Sequence, residues 1–482
     1  MAGGIAAEGL RYHHLTMEVS LMINDISWAK IPLPDDILRL KNAGCLEAAK
    51  AAIGHMLSGY LPECMRKRLE LEKEIIGILD ENEYPYKKQE AAELLSRTFS
   101  DVMEGELDEL VRSSAADWIY INGEIHFHKL FLDNIIKTRP DYQMRLKARE
   151  EDDAGILRQK MLNDNVSYMK EHGSRKAKIV IRASIRINKE SERVGEMVRV
   201  HIPIPRKCSQ VKDIQILEAS PEITAIATED AEQRTLCFET ELKPDQEFYV
   251  RYSYLNSVDY VEVDPKKAAS VQPEFYTEEQ APHILFTPFL KEILDEIREG
   301  EDNPALVARK IYDFITTRVK YSFVREYAGL DNISEYAAKN LKGDCGVQAI
   351  LFITLCRMAG IPARWQSGLY ASQVYTGCHD WAEFYIEPYG WLYADPSFGG
   401  SAYRMGQVER WNYYFGNLDI YRMAANGGIQ SEFIPPRKYF RADPIDNQRG
   451  EVEYEDRGLS FLEYQAKQVT ELIEDWQDKT DE

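Results

Sequence analysis

Basic residues are in short supply in this chain. Fifty-nine Lys and Arg stand against 80 Asp and Glu in 482 residues, a formal charge of −21. That balance speaks against polyanionic partners, so neither nucleic acid nor an anionic membrane is expected. Cysteine is sparse too. Its seven copies are dispersed and odd in number, which does not make a disulfide framework, and none are spaced as CxxC, which removes the paired zinc pattern. No stretch approaches the ~20 apolar residues of a membrane span. Met1 to Gly9 lack the basic start and apolar run of a signal peptide. No calcium loop of the EF-hand kind is found. A cytoplasmic, reducing setting is expected, with no cofactor and no metal.

What is present points to a large folded protein. Apolar residues make up 44% of the chain and include 28 Tyr, enough for sizeable cores. At the common domain size this length makes about three domains. Residues 1–170 read as a mainly helical N-terminal region, with Leu46 to Met56 rich in Ala and Met65 to Leu79 charged and amphipathic. Asn122-Gly123 between Trp118–Ile121 and Glu124–His128 is a strong hairpin signal. His126 and His128 fall on one face of that hairpin, but two histidines without a third ligand are more often packing or surface residues than a metal site.

Residues 175–262 turn to short alternating strands at 178–187, 198–204, 211–217, 235–240 and 247–254, the pattern of a β-sandwich-like module. Its expected job is packing against a core or presenting substrate; a structural spacer fits the pattern equally. After a polar linker over 262–282, residues 283–445 form the next unit, opening with helices near 288–298 and 304–317. The aromatic run Trp411 to Phe415 either walls a cleft or caps the core. Residues 446–482 read as an acidic tail with a docked helix, on a stripe at Leu462, Val469, Leu472, Ile473 and Trp476.

The chemistry concentrates in the third unit. Val347, Ile350, Leu351, Thr354, Leu355 and Met358 recur with helical spacing, Asp344 is a good N-cap, and Gly360 with Pro362 supplies a stop. Cys345 therefore falls in the first turn, where free N–H groups and the macrodipole favour a thiolate. Cys356, mid-helix, reads as core. Downstream, Trp381 to Glu387 and Trp391 to Asp395 alternate as two strands around Pro388-Tyr389-Gly390. His379 precedes the first strand and Asp395 ends the second, at the same end of the hairpin. A mirror about Tyr389 sets Asp395 opposite Glu383, so a bulge or bend is needed to bring it to His379. Cys378, next to His379, is expected to point away from it.

These residues carry a resemblance. Gly343-Asp344-Cys345, Leu351-Phe352, Leu355-Cys356-Arg357 and Gly360-Ile361-Pro362-Ala363-Arg364, then His379, Trp381 and Glu383, then Gly390-Trp391 and Asp395-Pro396, are similar to the nucleophile, second and third segments of the transglutaminase-like superfamily. The resemblance runs from about Pro304 to Gly399. It implies a multidomain α+β protein with a papain-like transglutaminase core, in which Cys345 is the nucleophile, His379 the general base and acid, and Asp395 the group that orients His379. The Cys345 N–H would be one oxyanion donor, and Tyr321, Asn340 and Trp381 are candidates for the second.

Active members of that superfamily attack an amide or ester carbonyl with a thiolate and pass the acyl group to water or an amine. The absence of calcium loops and zinc pairs favours a cysteine peptidase or amidase acting on a protein or peptide substrate. Three alternatives stay open: a protein-glutamine crosslinking transglutaminase, an acyltransferase using small amines, and a non-catalytic protein-binding scaffold. Nothing in the sequence sets the oligomeric state.

Overall fold

The computed structural model describes residues 24–79, 83–148 and 153–476, a mixed assembly of helices and mainly antiparallel sheets, with one short parallel pair between Lys320–Tyr321 and Lys342–Gly343. The start expected to lack a leader, Met1 to Gly9, lies outside the described residues.

The helices expected near the N-terminus form at Leu46–Leu57 and Glu63–Ile78. Ala49 and Ile53 of the first pack with Leu69 and Ile76 of the second in a small core of their own. The Asn-Gly hairpin forms as Trp118–Ile121 and Glu124–Phe127, joined at one edge by Tyr86–Lys87. His126 and His128 are buried and partnered within the protein. His126 Nδ1 lies 3.0 Å from the Tyr84 carbonyl and His128 Nε2 3.0 Å from Glu83 Oε1. Among the described residues no group of three His, Cys, Asp or Glu is placed to hold a metal.

The strand-rich stretch folds into two four-stranded sheets. One runs Glu451–Tyr454, Met197–Pro203, Thr235–Glu241, Ala225–Ile226; the other runs Tyr464–Asp475, Ser174–Ile187, Glu247–Asp259, Val211–Ser220. Alternate residues Ile179, Ile181, Ala183 and Ile185 of one sheet and Val198, Val200 and Ile202 of the other enter a shared core.

Each sheet takes one strand from the far end of the chain, and this corrects the expected tail helix. Tyr464–Asp475 pairs antiparallel with Ser174–Ile187 from Tyr464↔Ile187 to Asp475↔Ala177. The helical stripe fails because those apolar side chains do not converge on a core: Leu462, Val469, Leu472 and Trp476 all stay exposed. Period two with β-branched Val469, Thr470 and Ile473 suits an edge strand, and the long unpaired side of Ser174–Ile187 supplies the hydrogen bonds.

The third unit packs helices against a five-stranded antiparallel sheet, ordered Phe415–Gly416, Gly390–Ala394, Thr376–Ile386, Ala363–Ala371, Arg422–Asn426. Helix Cys345–Met358 lies on it, and its residues 345–357 are all buried. Helix Pro304–Arg318 backs it with Val307, Ala308, Ile311 and Ile315. Tyr413 and Tyr414 of the aromatic run are buried, and Trp411 Nε1 donates to Thr316 Oγ1 at 2.9 Å, so this run caps the core.

Candidate active site

Cys345 opens its helix as expected. Asp344 Oδ1 accepts the Val347 N–H at 3.1 Å and the Tyr327 hydroxyl at 2.6 Å. Gly346 makes room for that hydroxyl, since a Cβ there would sit 2.1 Å from Tyr327 Oη and 2.9 Å from Asp380 Oδ2. Burial lifts Asp344 to about 6, against the pull of its hydrogen bonds.

The hairpin closes differently from the mirror about Tyr389. Strand Thr376–Ile386 starts early enough to contain His379, and the register Ala382↔Ala394 with Ile386↔Gly390 centres the turn on Pro388. Extending that register sets Asp395 opposite Trp381, two residues from His379, a diagonal the side chains span. His379 Nε2 lies 2.7 Å from Asp395 Oδ2.

Asp395 is held on every side. Its Oδ1 accepts the Phe398 N–H at 2.9 Å and the Ser397 hydroxyl at 3.2 Å. Arg422 Nη1 stands 2.9 Å from Oδ2 and is itself 2.6 Å from Asp419 Oδ2 through Nη2. Burial would raise the Asp395 carboxyl, but His379 and Arg422 outweigh it and bring it down to about 2. His379 shifts the other way. Burial pulls its pKa below the usual value more strongly than Asp395 lifts it, so the resting imidazole is neutral. With Nε2–H given to Asp395, Nδ1 is the unprotonated nitrogen. Among the described residues it has no hydrogen-bond partner, and it is not sealed away from the cavity that His379 lines.

Cys345 lines that same cavity, but its hydrogen bond goes elsewhere. Its Sγ donates to Asp380 Oδ2 at 3.2 Å, and no hydrogen bond joins it to His379. Asp380 is steadied by Gln448 Nε2, 2.5 Å from Oδ1. Burial, then the nearby acids Asp380 and Asp344, push the Cys345 thiol well above its usual range. The thiolate expected from the helix terminus is therefore not the resting state: neighbouring carboxyls and loss of solvent outweigh the dipole. Cys378 is half-buried at the cavity wall, and burial raises it to about 11.

The three oxyanion candidates separate. Tyr321 stands in the cavity wall against Cys345. The indole N–H of Trp381 is taken by Gln366 Oε1 at 2.6 Å. Asn340 is exposed and gives its amide to the Tyr336 carbonyl, away from the cavity. Neither of the last two joins the site.

Three residues at the site have no counterpart in the reading of the sequence: Arg422, Asp419 and Asp380. A sequence signal existed for the first two. Asp419 and Arg422 flank Ile420 and Tyr421 between apolar runs, where opposite charges imply a buried pair. Asp380 alternates to the face opposite His379, but nothing in a single sequence says which face meets Cys345.

The cavity has a volume of about 1280 Å³. One wall comes from the N-terminal helical region through Lys137, Arg158 and Leu162, and another from the stretch 443–450 that leads into the sandwich strand Glu451–Tyr454.

The site thus sets a capped cysteine, at the start of a helix, against a sheet that bears a bonded histidine–aspartate pair. Residues 291–396 match the model of the transglutaminase-like superfamily, and Cys345, His379 and Asp395 fall inside the match. A 131-residue stretch is 26% identical to the protein-glutamine gamma-glutamyltransferase of Pseudomonas aeruginosa, covering 25% of this chain and 20% of that protein. The chain thus spans about a fifth of that relative's length. Among solved structures, a candidate cysteine protease from Cytophaga hutchinsonii is 15% identical with a TM-score of 0.38, covering 64% of this chain and 95% of its own. The periplasmic domain of TgpA from Pseudomonas aeruginosa is 12% identical with a TM-score of 0.27, covering 52% and 96%. Both likenesses are too loose to bear on activity.

Proposed function

We propose that this protein is a thiol-dependent amide hydrolase, a cysteine peptidase or amidase, working through Cys345, His379 and Asp395 on a papain-like core. The observation that carries this reading is the 2.7 Å bond from His379 to a deeply anionic Asp395, which leaves Nδ1 as a free base in the cavity Cys345 lines. Substrate entry turns the thiol from Asp380 toward that nitrogen. Nδ1 takes the proton as Sγ attacks the carbonyl carbon, so a high resting thiol pKa is no obstacle. The Cys345 N–H and the Tyr321 hydroxyl receive the oxyanion. Nδ1–H then protonates the leaving amine as the C–N bond breaks. Water gives a proton to Nδ1 and attacks the thioester carbon; the C–S bond breaks, the acid leaves, and Sγ takes the proton back from Nδ1. Asp395 keeps the imidazole in the tautomer that has its lone pair on Nδ1.

Transfer to an amine rather than water follows the same steps with a different second nucleophile. The Pseudomonas relative, a protein-glutamine gamma-glutamyltransferase, keeps that variant in view, although the shared stretch is a small part of that protein. Mass spectrometry of peptide mixtures, with and without a primary amine, decides between shortened or deamidated products and amine adducts. Cys345→Ala is expected to abolish both while the circular dichroism spectrum is kept. Turnover persisting in that variant would end the proposal.

A further inference from the structure

Four cations line one end of the cavity, and no carboxylate among the described residues is paired with any of them. They are Lys137 and Arg158 from the N-terminal region, Arg404 from helix Pro396–Arg404, and Arg410 from helix Val408–Tyr413. Among the described residues Arg158 finds no hydrogen-bond partner, and its Nε is shielded from solvent. Arg404 and Lys137 likewise form no ion pair, and both stay exposed at the rim. Arg410 is 2% exposed, and its guanidinium reaches only neutral acceptors: the Gln159 carbonyl at 3.3 Å, Gln159 Oε1 at 2.5 Å, Asn163 Oδ1 at 3.0 Å and Met405 Sδ at 3.7 Å. The nearest acids stand off: Asp133 weighs on Lys137 without bonding it, and Asp419 is already engaged by Arg422.

A chain with 80 acidic side chains has no shortage of counter-charges, so leaving buried Arg410 and the shielded Nε of Arg158 without one is a cost the fold does not relieve by itself. Guanidinium groups are planar donors matched to a carboxylate. The group also lies close to the thiol. Lys137 Nζ is 5.4 Å from the centre of the Tyr321 ring, and Tyr321 stands against Cys345. Arg158 Cζ is 5.6 Å from the ring of Tyr375, which lies near Cys345 in the same cavity. Lys137 and Arg158 thus each sit about one aromatic ring from the reacting sulfur. The cavity also carries Glu326, Asp344, Asp380, Asp443 and Asp446, which would repel a long polyanion and leave a short ligand with a local negative charge.

We infer that Arg158, Arg404 and Lys137, backed by Arg410, form a subsite for the carboxylate of an acidic peptide substrate, seated beside Cys345. The subsite deepens the hydrolase reading by naming its substrate class, but its test does not depend on turnover. Binding is measured by calorimetry on the full chain carrying Cys345→Ala, with blocked tetrapeptides that differ only in one Glu, Gln or Lys. The Gln peptide with a free C-terminal carboxylate is added to tell a side-chain anion from a terminal one. A carboxylate peptide of one kind or the other is expected to bind about tenfold or more tighter than the neutral one. Arg158→Gln with Arg404→Gln removes the preference, while Arg158→Lys keeps part of it. Equal affinity across the set, no binding at millimolar concentration, or a preference that survives the double substitution in a folded protein would each overturn the inference. Because the protein tested lacks the thiol, a failed hydrolase reading leaves this result standing, and the reverse holds.

Discussion

Arg422→Met tests how the histidine's partner is held. In the folded protein Arg422 faces Asp395 at 2.9 Å and Asp419 at 2.6 Å, with every member fully buried. Methionine keeps much of the volume but leaves two buried carboxylates without their shared cation. Breaking a buried pair in this way costs roughly 3–5 kcal/mol. At ~2.1 cal/mol/K per residue, 482 residues unfolding together have an unfolding entropy of ~1 kcal/mol/K, so Tm falls by ~3–5 °C. The pH dependence supplies a second check. Asp395 titrates at about 2 when folded and near 3.9 when unfolded, so it favours the folded state by roughly 2.6 kcal/mol above pH ~5, and this is lost as pH falls toward 2. Without Arg422 the carboxyl is protonated more readily, which relieves the penalty in acid. The gap in Tm between wild type and variant is therefore widest near pH 7 and narrows toward pH 4. Calorimetric scans at both values measure it. A shift below 1 °C at pH 7, or a gap that widens in acid, would refute the reasoning.

Asp380→Asn removes an acid that raises the Cys345 pKa, so the pH profile of Cys345 alkylation moves to lower pH; an unmoved profile counts against the Asp380 contact. Gly346→Ala drives a methyl against the Tyr327 hydroxyl, and such overpacking is expected to cost about 1–3 kcal/mol and to displace the Asp344 cap, read as a lower Tm with reduced turnover. Ending the chain before Ser460 strips the strand that pairs along Ser174–Ile187 and bares a long sheet edge. Aggregation or loss of folded yield is expected, where loss of a merely docked helix would leave a soluble protein.

The third unit was the most legible part of the chain because its signals are local. The helix with its Asp344 cap and the Trp381–Asp395 hairpin are written in adjacent residues, so Cys345, His379 and Asp395 could be singled out from local signals together with the family resemblance. Register was harder: nothing in Pro388-Tyr389-Gly390 says that the turn centres on Pro388, and two positions decide whether Asp395 needs a bulge to reach His379. What escaped was everything set by distant contacts. Tyr464–Asp475 reads as amphipathic in either period, and only the free edge of a strand almost three hundred residues earlier makes it β. Burial has the same character. The helix start favours a thiolate, but Asp380, thirty-five residues away in sequence, faces the sulfur and reverses the balance. Arg158, Arg404 and Arg410 gain their meaning only where three separate elements meet at one cavity.

The most direct test of a base-assisted thiol is the rate at which iodoacetamide labels each cysteine at pH 7, mapped by peptide mass spectrometry in wild type and His379→Ala. Burial and two neighbouring acids leave Cys345 almost wholly protonated at that pH, so fast labelling requires His379 to take the proton. Cys345 is predicted to label ahead of buried Cys237 and Cys356 and to slow by about tenfold or more in the variant. A Cys345 as inert as Cys356, or one whose rate is unchanged without His379, would contradict the account.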